Sequence, residues 1–280
     1  MLVIFNPAAG SARRRRLARA MAVLGRARLA ETAAPGDARA IAAEAARAGE
    51  DCVVAAGGDG TIAEVAAGLA GSGSALGILP FGTANVLALE LGLPRAAGDA
   101  ARVILTGRDV AIHPGLVGGR LFVQMLGAGF DASVVHGIQP GLKRRFGQGA
   151  YVWQALCEMT RHGFAPFRFA ADDGAWEAAV SLIVTKGRLY AGNHLVAPCA
   201  SPLAPGFTLV IQRRGGPGRA LLAGAALPLG LLHRLPFIEL RRCASVRLEG
   251  EGVATQCDGD RGPALPLAIT DAAPLNVRMA

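Results

Sequence analysis

Short apolar runs alternate with helical patterns over the first 91 residues, and this alternation constrains the fold more than any other feature. Apolar runs occupy 2–5, 52–56 and 76–79, a further short strand ends near residue 32, and helical patterns follow at 13–26, from 37 onward, and at 61–69 and 84–91. In the first helical pattern, Leu17, Met21 and Leu24 share one face. A repeated strand-then-helix order predicts a parallel sheet covered by helices on both faces.

The pattern changes after about residue 110. Gly118-Gly119 lies between two apolar segments, and Asp172-Asp173-Gly174 separates two strand-like runs at 167–171 and 176–184, as in β-hairpins. Further short strands and one helix, around 151–161, complete a β-rich half. The sequence therefore predicts an α/β domain at 1–112 and an antiparallel β domain at 113–280, with the cleft between them as the default site. The final strand, 275–279, fits either domain.

Composition narrows the classes of partner. Hydrophobic residues make up 52% and charged residues 18%, so the chain can bury a core, and its formal net charge is +8. A positive net charge favours binding to phosphates or to a membrane surface, although a general composition bias of the source genome explains it equally well. Aromatic residues make up only 5%, and no reader motif is present, so we expect no nucleic-acid partner.

The cysteines and the apolar runs indicate a compartment. Five dispersed cysteines without a CxxC pair argue against a disulfide framework or a zinc site. The apolar N-terminus is too short for a signal peptide, and no run reaches the roughly 18 residues of a membrane span. We expect a cytoplasmic protein, peripheral at the inner membrane surface.

The stretch Gly57-Gly58-Asp59-Gly60 lies between a predicted strand and a predicted helix. Backbone N–H groups and the dipole at a helix N-terminus favour an anion, and glycines allow close approach, so the stretch predicts a phosphate cradle. Thr61 and Glu64 have the spacing of a capping box for this helix. Asp59 would repel a phosphate unless it holds magnesium or a proton. A plain strand-to-helix turn is the alternative.

Two more loops follow strands of the same predicted sheet. They are the segments 6–11 and 77–85. Because the carboxyl ends of parallel strands share one edge, we expect these loops and the glycine stretch to converge on one crevice. Thr83 either offers a hydroxyl to a phosphate there or serves as a helix N-cap.

The order of several motifs resembles the catalytic domain of the diacylglycerol kinase family, which includes bacterial lipid kinases and the sphingosine kinases. The motifs are NPAAGSA, ETAAPGDA, GGDGTIAEVAAGL, GILPFGTANVLALELGLP, LFVQMLGAGFDASVV, LKRRFGQGAYVWQAL, KGRLYAGNHLVAPCASP and CDGD. The resemblance implies a Rossmann-like ATP-binding domain beside a β-sandwich. It also implies transfer of phosphate from ATP to a lipid hydroxyl. We expect diacylglycerol as the first acceptor, giving phosphatidic acid, while sphingoid bases, ceramide and other lipid alcohols stay open as acceptors.

The resemblance also implies site residues. The predicted ATP contacts are Asn6, Pro7, Ala8, Ala9, Gly10, Thr32, Gly57, Gly58, Asp59, Gly60, Thr61, Ile62, Ala63 and Thr83. Asp59 would organise Mg²⁺ or the acceptor hydroxyl, and is therefore both a catalytic and a metal candidate. Asp260 lies at the position of the family's proposed general base.

The chain departs from the family pattern at three places. Asp260 replaces the usual glutamate and is shorter by one C–C bond, about 1.5 Å, while Asp258-Gly259 is also a hairpin-turn dipeptide. Pro205-Gly206-Phe207-Thr208-Leu209 lacks both acids of a D-G-x-x-D pattern, so a side-chain metal site is not expected there. Val86 stands where an aspartate is common.

Other interpretations stay open on the sequence alone. The GGDGT stretch is shared with NAD kinases, and the thinned acids fit a catalytically silent nucleotide or lipid sensor. The apolar run 220–232 is either a buried helix or an interfacial segment in transient contact with a membrane surface. The basic runs 13–16 and 143–145 are either solvated faces or anion-attracting ones, and a homodimer is possible.

Overall fold

The computed structural model describes residues 1–7, 11–137 and 164–280. They form two units: the N-terminal unit contains residues 1–114 and 272–280, and the C-terminal unit contains residues 115–271. The predicted helix at 151–161 and the basic run at 143–145 lie outside the described residues, as do Ala8, Ala9 and Gly10.

The N-terminal unit is built on one six-stranded sheet with the strand order β2-β1-β3-β4-β20-β5. Its elements are β1 (Leu2–Phe5), α1 (Ser11–Leu24), β2 (Arg28–Glu31), α2 (Asp37–Arg47), β3 (Cys52–Gly57), α3 (Asp59–Leu69), β4 (Ala75–Pro80), α4 (Val86–Glu90), α5 (Ala97–Thr106), β5 (Arg108–Ile112) and, from the far end of the chain, β20 (Leu275–Met279). All neighbours pair in parallel except β20 with β5. The predicted parallel sheet is confirmed.

The central strands of this sheet are buried along their whole length. Every residue of β1, β3 and β4 is buried, which is typical of parallel strands covered on both faces. Helices α1 and α5 pack on one face through apolar residues such as Leu17 and Ile104. The strands therefore end in loops held on a rigid support.

The C-terminal unit contains two six-stranded sheets in which all described pairs are antiparallel. Its elements are β6 (Gly115–Val117), β7 (Arg120–Phe122), β8 (Met125–Gly129), α6 (Phe130–Gly137), β9 (Phe167–Ala171), β10 (Glu177–Ala179), β11 (Ser181–Thr185), β12 (Leu189–Tyr190), β13 (His194–Leu195), β14 (Phe207–Gln212), α7 (Pro217–Ala226), a 3-10 helix (Leu232–Arg234), β15 (Ile238–Cys243), β16 (Val246–Glu249), β17 (Thr255–Cys257), β18 (Asp260–Arg261) and β19 (Leu267–Asp271).

The two sheets share one hydrophobic core, as in a β-sandwich. One sheet has the order β10-β9-β16-β19-β6-β7 and the other β15-β14-β11-β8-β17-β18. Phe122 and Phe169 of the first sheet lie in the same buried cluster as Leu182 and Leu209 of the second. The predicted antiparallel β-sandwich is confirmed.

Of the two predicted hairpins, the first is present in the structure and the second is not. Gly118 and Gly119 both have positive φ and connect β6 to β7, as predicted. The run 176–184, predicted as one strand, is instead divided at Val180 between β10 in one sheet and β11 in the other. Val180 bonds through its N–H to the carbonyl of Gln212. Apart from Glu177 and Ser181 the run is apolar, and no glycine or proline marks the break, so the sequence does not reveal the change of sheet.

Candidate active site

Four loops leave the parallel sheet at one edge of the N-terminal unit. Phe5 is in register with both Glu31 and Ala56, and Gly57 is in register with Pro80. The residues that follow β1, β2, β3 and β4 therefore start from neighbouring positions. The predicted neighbouring start of the loops is confirmed, while residues 8–10 of the loop at 6–11 lie outside the described residues.

The glycine loop (residues 57–60) and the following loop (residues 81–85, hereafter the second loop) touch directly. The Phe81 N–H donates to the Gly57 carbonyl at 2.8 Å. A Cβ atom on Gly82 would lie 2.6 Å from the Cα of Gly58. Side chains at this contact would force the two loops apart, so glycine is required by the close approach of two backbones.

Asp59 links the two loops through its carboxylate. It is the first residue of α3, and its Oδ2 accepts a hydrogen bond from the Asn85 N–H at 2.9 Å while Oδ1 accepts one from the Val86 N–H at 2.6 Å. The carboxylate thus satisfies backbone donors at the start of α4, where negative charge is favourable. This structural role is additional to the predicted one, and the sequence analysis missed it.

Asn85 holds the second loop in shape and was also missed. It is buried, has φ 52°, accepts a hydrogen bond from the Gly82 N–H at 2.7 Å and donates to the Gly82 carbonyl at 2.8 Å. An asparagine in a tight loop before a helix is a recognisable signal, because its side chain bonds to local backbone and it tolerates positive φ.

The predicted capping box at Thr61 and Glu64 is wrong. Helix α3 begins at Asp59, so Thr61 lies inside its first turn. The Thr61 side chain is buried and its hydroxyl accepts a hydrogen bond from Asn6 Nδ2 at 3.3 Å. Glu64 instead accepts a hydrogen bond from the Gly36 N–H at 3.0 Å. The error arose because the helix starts two residues earlier than its apolar pattern.

The remaining predicted contacts differ in accessibility. Gly60 is exposed, and a Cβ there would meet no atom within 4 Å. Ile62 is fully buried, so only its backbone could face a ligand. Thr83 is exposed, and its alternative role as an N-cap is wrong because Asn85 occupies that position. The half-buried Thr32 donates its N–H to the Phe5 carbonyl at 2.9 Å. Pro7 and Ala63 are half-buried.

Two arginines of the run 13–16 fasten α1 to this edge of the sheet. Arg14 forms a two-pronged ion pair with Glu31 at 2.8 and 3.0 Å. Arg16 donates to the Pro80 carbonyl at 2.8 Å and lies 4.7 Å from the centre of the Phe81 ring. Burial lowers the pKa of Arg16. The interpretation of this run as a purely solvated face is therefore wrong for the half-buried Arg16, while Arg14 is 59% exposed and keeps its solvated position beside Glu31.

Asp260 lies in the C-terminal unit, and Asp59 lies in the N-terminal unit. The Asp260 side chain is 70% exposed and stands 3.5 Å from Arg120 Nη2. Asp258 and Gly259 both have positive φ, and Cys257 pairs with Asp260 across them. Asp258-Gly259 thus forms the two-residue hairpin turn considered as an alternative, and this turn presents Asp260 at its far side.

Asp258, which the sequence analysis did not assign, anchors that turn. Its Oδ1 accepts hydrogen bonds from the N–H groups of Gln124 at 2.9 Å and Met125 at 3.0 Å, and Oδ2 accepts one from Val123 at 2.8 Å. Burial raises the pKa of Asp258 to about 6, although the three amide donors act in the opposite direction.

A buried polar network also leads to the turn. Asp131 accepts hydrogen bonds from the Tyr190 hydroxyl and from Gln256 Nε2, the latter at 3.1 Å. Gln256 Oε1 in turn accepts the Gly259 N–H at 2.9 Å. Burial raises the pKa of Asp131. Nothing in the spacing of these residues indicated that they meet.

An ammonium group occupies the loop that lacks the D-G-x-x-D acids. Lys186 Nζ donates to the Gly206 carbonyl and to Asp271 Oδ1, both at 2.6 Å, while Asp271 Oδ2 accepts the Gly206 N–H at 2.7 Å. Burial lowers the pKa of Lys186.

Within 1–7, 11–137 and 164–280, no three or more His, Cys, Asp or Glu side chains are grouped to hold a metal ion. Over the same residues, no helix has the length and hydrophobicity needed to cross a membrane.

Comparisons with known proteins agree with this architecture. The diacylglycerol kinase catalytic domain matches residues 1–117. Three solved structures from Bacillus anthracis strain Sterne align over 100% of this chain and 94 to 96% of theirs, with TM-scores of 0.83, 0.79 and 0.73. The third is described as a diacylglycerol kinase. Sequence identity is only 20 to 21%, so this likeness supports the fold alone.

Comparison with curated relatives shows which family the chain belongs to. A protein of Pseudomonas aeruginosa strain UCBPP-PA14, named "Probable lipid kinase YegS-like", is 40% identical over 59% of this chain, and the match spans about half, 55%, of that protein's length. A protein of the same name from Pseudomonas savastanoi pv. phaseolicola is 34% identical over 77% of this chain and 74% of its own. On these matches, the chain belongs to the YegS-like lipid kinase family, which has the diacylglycerol kinase catalytic domain.

Proposed function

We propose that the chain transfers the γ-phosphoryl group of ATP to the hydroxyl of a membrane lipid alcohol, with diacylglycerol as the first acceptor. One observation carries the proposal: the glycine loop and the second loop meet at the carboxyl edge of the parallel sheet, with Asp59 joining them. Ligands of open α/β sheets bind at this edge. Membership of a kinase family supports ATP as the donor.

The edge fits a phosphate chain. The start of α3 offers backbone N–H groups and the positive end of the helix dipole, and Gly60 leaves open space in front of them. Magnesium, when bound, neutralises charge on the phosphates. The Asp59 carboxylate is the oxygen ligand that this edge offers to the ion, since Asp59 begins α3 and lies against the start of α4.

In the proposed transfer the lipid hydroxyl oxygen bonds to the γ-phosphorus as the bond to the β–γ bridging oxygen breaks, and ADP leaves. The hydroxyl proton passes to a carboxylate, for which Asp260 is the assigned residue. Such a transfer depends mainly on positioning and charge stabilisation. The turn at Asp258-Gly259, fixed by three amides and by Gln256, gives Asp260 a defined position.

The proposed activity is tested with γ-labelled ATP and a total lipid extract. We expect label in one phospholipid fraction, identified by mass spectrometry as a lipid phosphate, and none in a parallel reaction with NAD. Labelled NADP in the parallel reaction would instead identify an NAD kinase. Binding of ATP without any labelled product would contradict an enzyme and indicate a nucleotide sensor.

The role of Asp59 is tested by Asp59→Asn. The amide keeps one of the two acceptor oxygens and turns its NH2 toward the other backbone N–H, so we expect some loss of stability, checked by thermal unfolding, and a fall in transfer of about 100-fold or more through lost charge and misplacement. Asp172→Asn is a control for the exchange of a carboxylate for an amide away from the site: Asp172 Oδ1 alone accepts the N–H groups of Ala244 and Ser245 in the C-terminal unit, so the amide keeps both bonds and transfer should stay at the wild-type level. Wild-type transfer by Asp59→Asn would rule out the assigned role.

A further inference from the structure

Helix α7 faces the protein with its small residues and the solvent with its large ones. Ala220 and Ala226 are buried, whereas Leu221 is 57% exposed and Leu222 is 49% exposed. The turn that follows exposes Leu229 by 71%. A helix that only covers a core places its largest apolar side chains inward. Of the two interpretations of the run 220–232, burial over the sandwich is therefore wrong for Leu221, Leu222 and Leu229, whereas Leu232 is buried and Leu227 packs against the same core cluster.

The exposed leucines are concentrated rather than scattered. The described residues contain eight exposed large hydrophobic side chains, and four of them, Leu221, Leu222, Leu229 and Leu231, lie within eleven residues. Single exposed leucines need no explanation, but four exposed leucines on one short helix and the turn after it indicate an interaction surface. We call these four residues the leucine patch.

Unpaired positive charge borders the leucine patch. From Arg213 to Ile238 the sequence contains no aspartate or glutamate. Arg213 forms ion pairs with Glu177 and Glu239. Arg214, Arg219 and Arg234 are exposed, and no carboxylate in the described part of the chain pairs with them. Their charges are available to an external anion.

We propose that this surface docks the C-terminal unit onto an anionic phospholipid bilayer. The leucine patch would enter the boundary between headgroups and acyl chains, and Arg214, Arg219 and Arg234 would contact lipid phosphates. An apolar face flanked by arginines is the pattern of interfacial membrane segments. Helix α7 has ten residues, which is about half the length needed to span a bilayer.

A second copy of the chain fits the surface less well. A symmetric pairing through the leucine patch would bring two sets of unpaired arginines together, and like charges at an interface are unfavourable. An anionic bilayer supplies both the apolar layer and the opposite charge. The proposed docking surface depends on the proposed function in one respect: its purpose would be to give the kinase access to an acceptor lipid in the membrane.

Vesicle co-sedimentation tests the surface without any turnover. The full chain is mixed with phosphatidylcholine vesicles containing no or about 30% phosphatidylglycerol, without ATP or diacylglycerol. We expect binding that increases with the anionic lipid. The double variant Leu221→Ser/Leu222→Ser should lower the partition coefficient at least tenfold. Its matched control, Leu29→Ser/Leu105→Ser, removes two leucines of similar exposure in the N-terminal unit and should bind as the wild type does.

The arginines are tested separately. In the triple variant Arg214→Gln/Arg219→Gln/Arg234→Gln we expect the preference for phosphatidylglycerol to disappear. Equal vesicle binding by the wild type and the Leu221→Ser/Leu222→Ser variant would overturn the proposal. So would sedimentation equilibrium showing a dimer that this variant abolishes, since the patch would then hold a second copy.

Failure of the surface and failure of the kinase are distinguishable. Transfer to a short-chain, water-dispersed diacylglycerol without any vesicle binding would overturn the docking surface and leave the proposed activity intact. Leucine-dependent vesicle binding without phosphorylation of any lipid would overturn the proposed kinase activity and leave the docking surface intact. Thermal unfolding of each variant checks that it is folded, which we expect because the substituted side chains are exposed.

Discussion

Gly60, the second residue of α3, shows how a single missing side chain can serve a ligand. A Cβ at Gly60 would meet no protein atom within 4 Å. Alanine is therefore compatible with the protein, and in a helix it is better by up to about 1 kcal/mol. If phosphates approach this turn closely, Gly60→Ala should leave the melting temperature unchanged or higher but weaken ATP binding about tenfold or more, as measured by calorimetry.

Gly98 provides the control for that substitution. It is likewise the second residue of a helix, α5, and a Cβ there would also meet nothing within 4 Å. Gly98→Ala should have the same effect on stability and no effect on ATP. Unchanged ATP affinity in Gly60→Ala would show that the phosphates do not approach the first turn of α3.

Asp258 predicts a pH dependence of stability. Burial raises its pKa from an ordinary 3.8 to about 6, so the folded state binds this proton more tightly than the unfolded state does. The resulting stabilisation is present below about pH 4 and is lost as pH rises through about 6, and its size is about 3 kcal/mol. The free energy of unfolding of wild type relative to Asp258→Asn should therefore fall over this range.

Denaturant titrations of the wild type and Asp258→Asn between about pH 4 and pH 7.5 measure this difference in the free energy of unfolding. The three amide donors to Asp258 act against burial, because they favour the ionised carboxylate. A wild-type advantage that grows with pH would mean that the amides dominate, and would contradict the raised pKa.

Among the elements, the contact between the glycine loop and the second loop can be loosened selectively. A Cβ on Gly82 would lie 2.6 Å from the Gly58 Cα and 2.6 Å from Asn85 Oδ1. Gly82→Ala should therefore lower the free energy of unfolding by about 1 to 3 kcal/mol and weaken ATP binding. Urea denaturation measures the first effect and calorimetry the second.

Gly73→Ala is the comparison for Gly82→Ala, since Gly73 lies in an exposed loop and a Cβ there would meet nothing within 4 Å. If Gly82→Ala proved as stable and as competent to bind ATP as Gly73→Ala, close approach of the two backbones would not be what holds the loops.

Elements with a strong local signal were predictable from sequence. The hairpin at Gly118-Gly119 and the parallel strands of the N-terminal unit follow from glycine conformation and from buried apolar runs. Long-range choices were not predictable. The side chain of Glu64 bonds to Gly36, 28 residues away, rather than to its own helix, and the chain changes sheet at Val180 without a glycine or proline to mark the break.

At the scale of the whole molecule, the sheet topology explains which features of the candidate site could be predicted from the sequence. Parallel strands send their carboxyl ends to one edge, so the convergence of the loops followed from the order of elements alone. The hydrogen bonds by which Asp59 joins the glycine loop to the start of α4 did not, because they depend on where α4 begins. The network of Asp131, Tyr190 and Gln256 joins residues up to 125 positions apart, and no local pattern indicates it.

Equilibrium titration of the wild-type chain with ATP, ADP and AMP measures most directly whether the strand-end loops of the N-terminal unit hold a phosphate chain. We predict one ATP per chain, with affinity falling in the order ATP, ADP, AMP and at least tenfold weaker binding of AMP than of ATP. Equal affinity for ATP and AMP, or no binding of adenine nucleotides, would contradict the assignment of these loops.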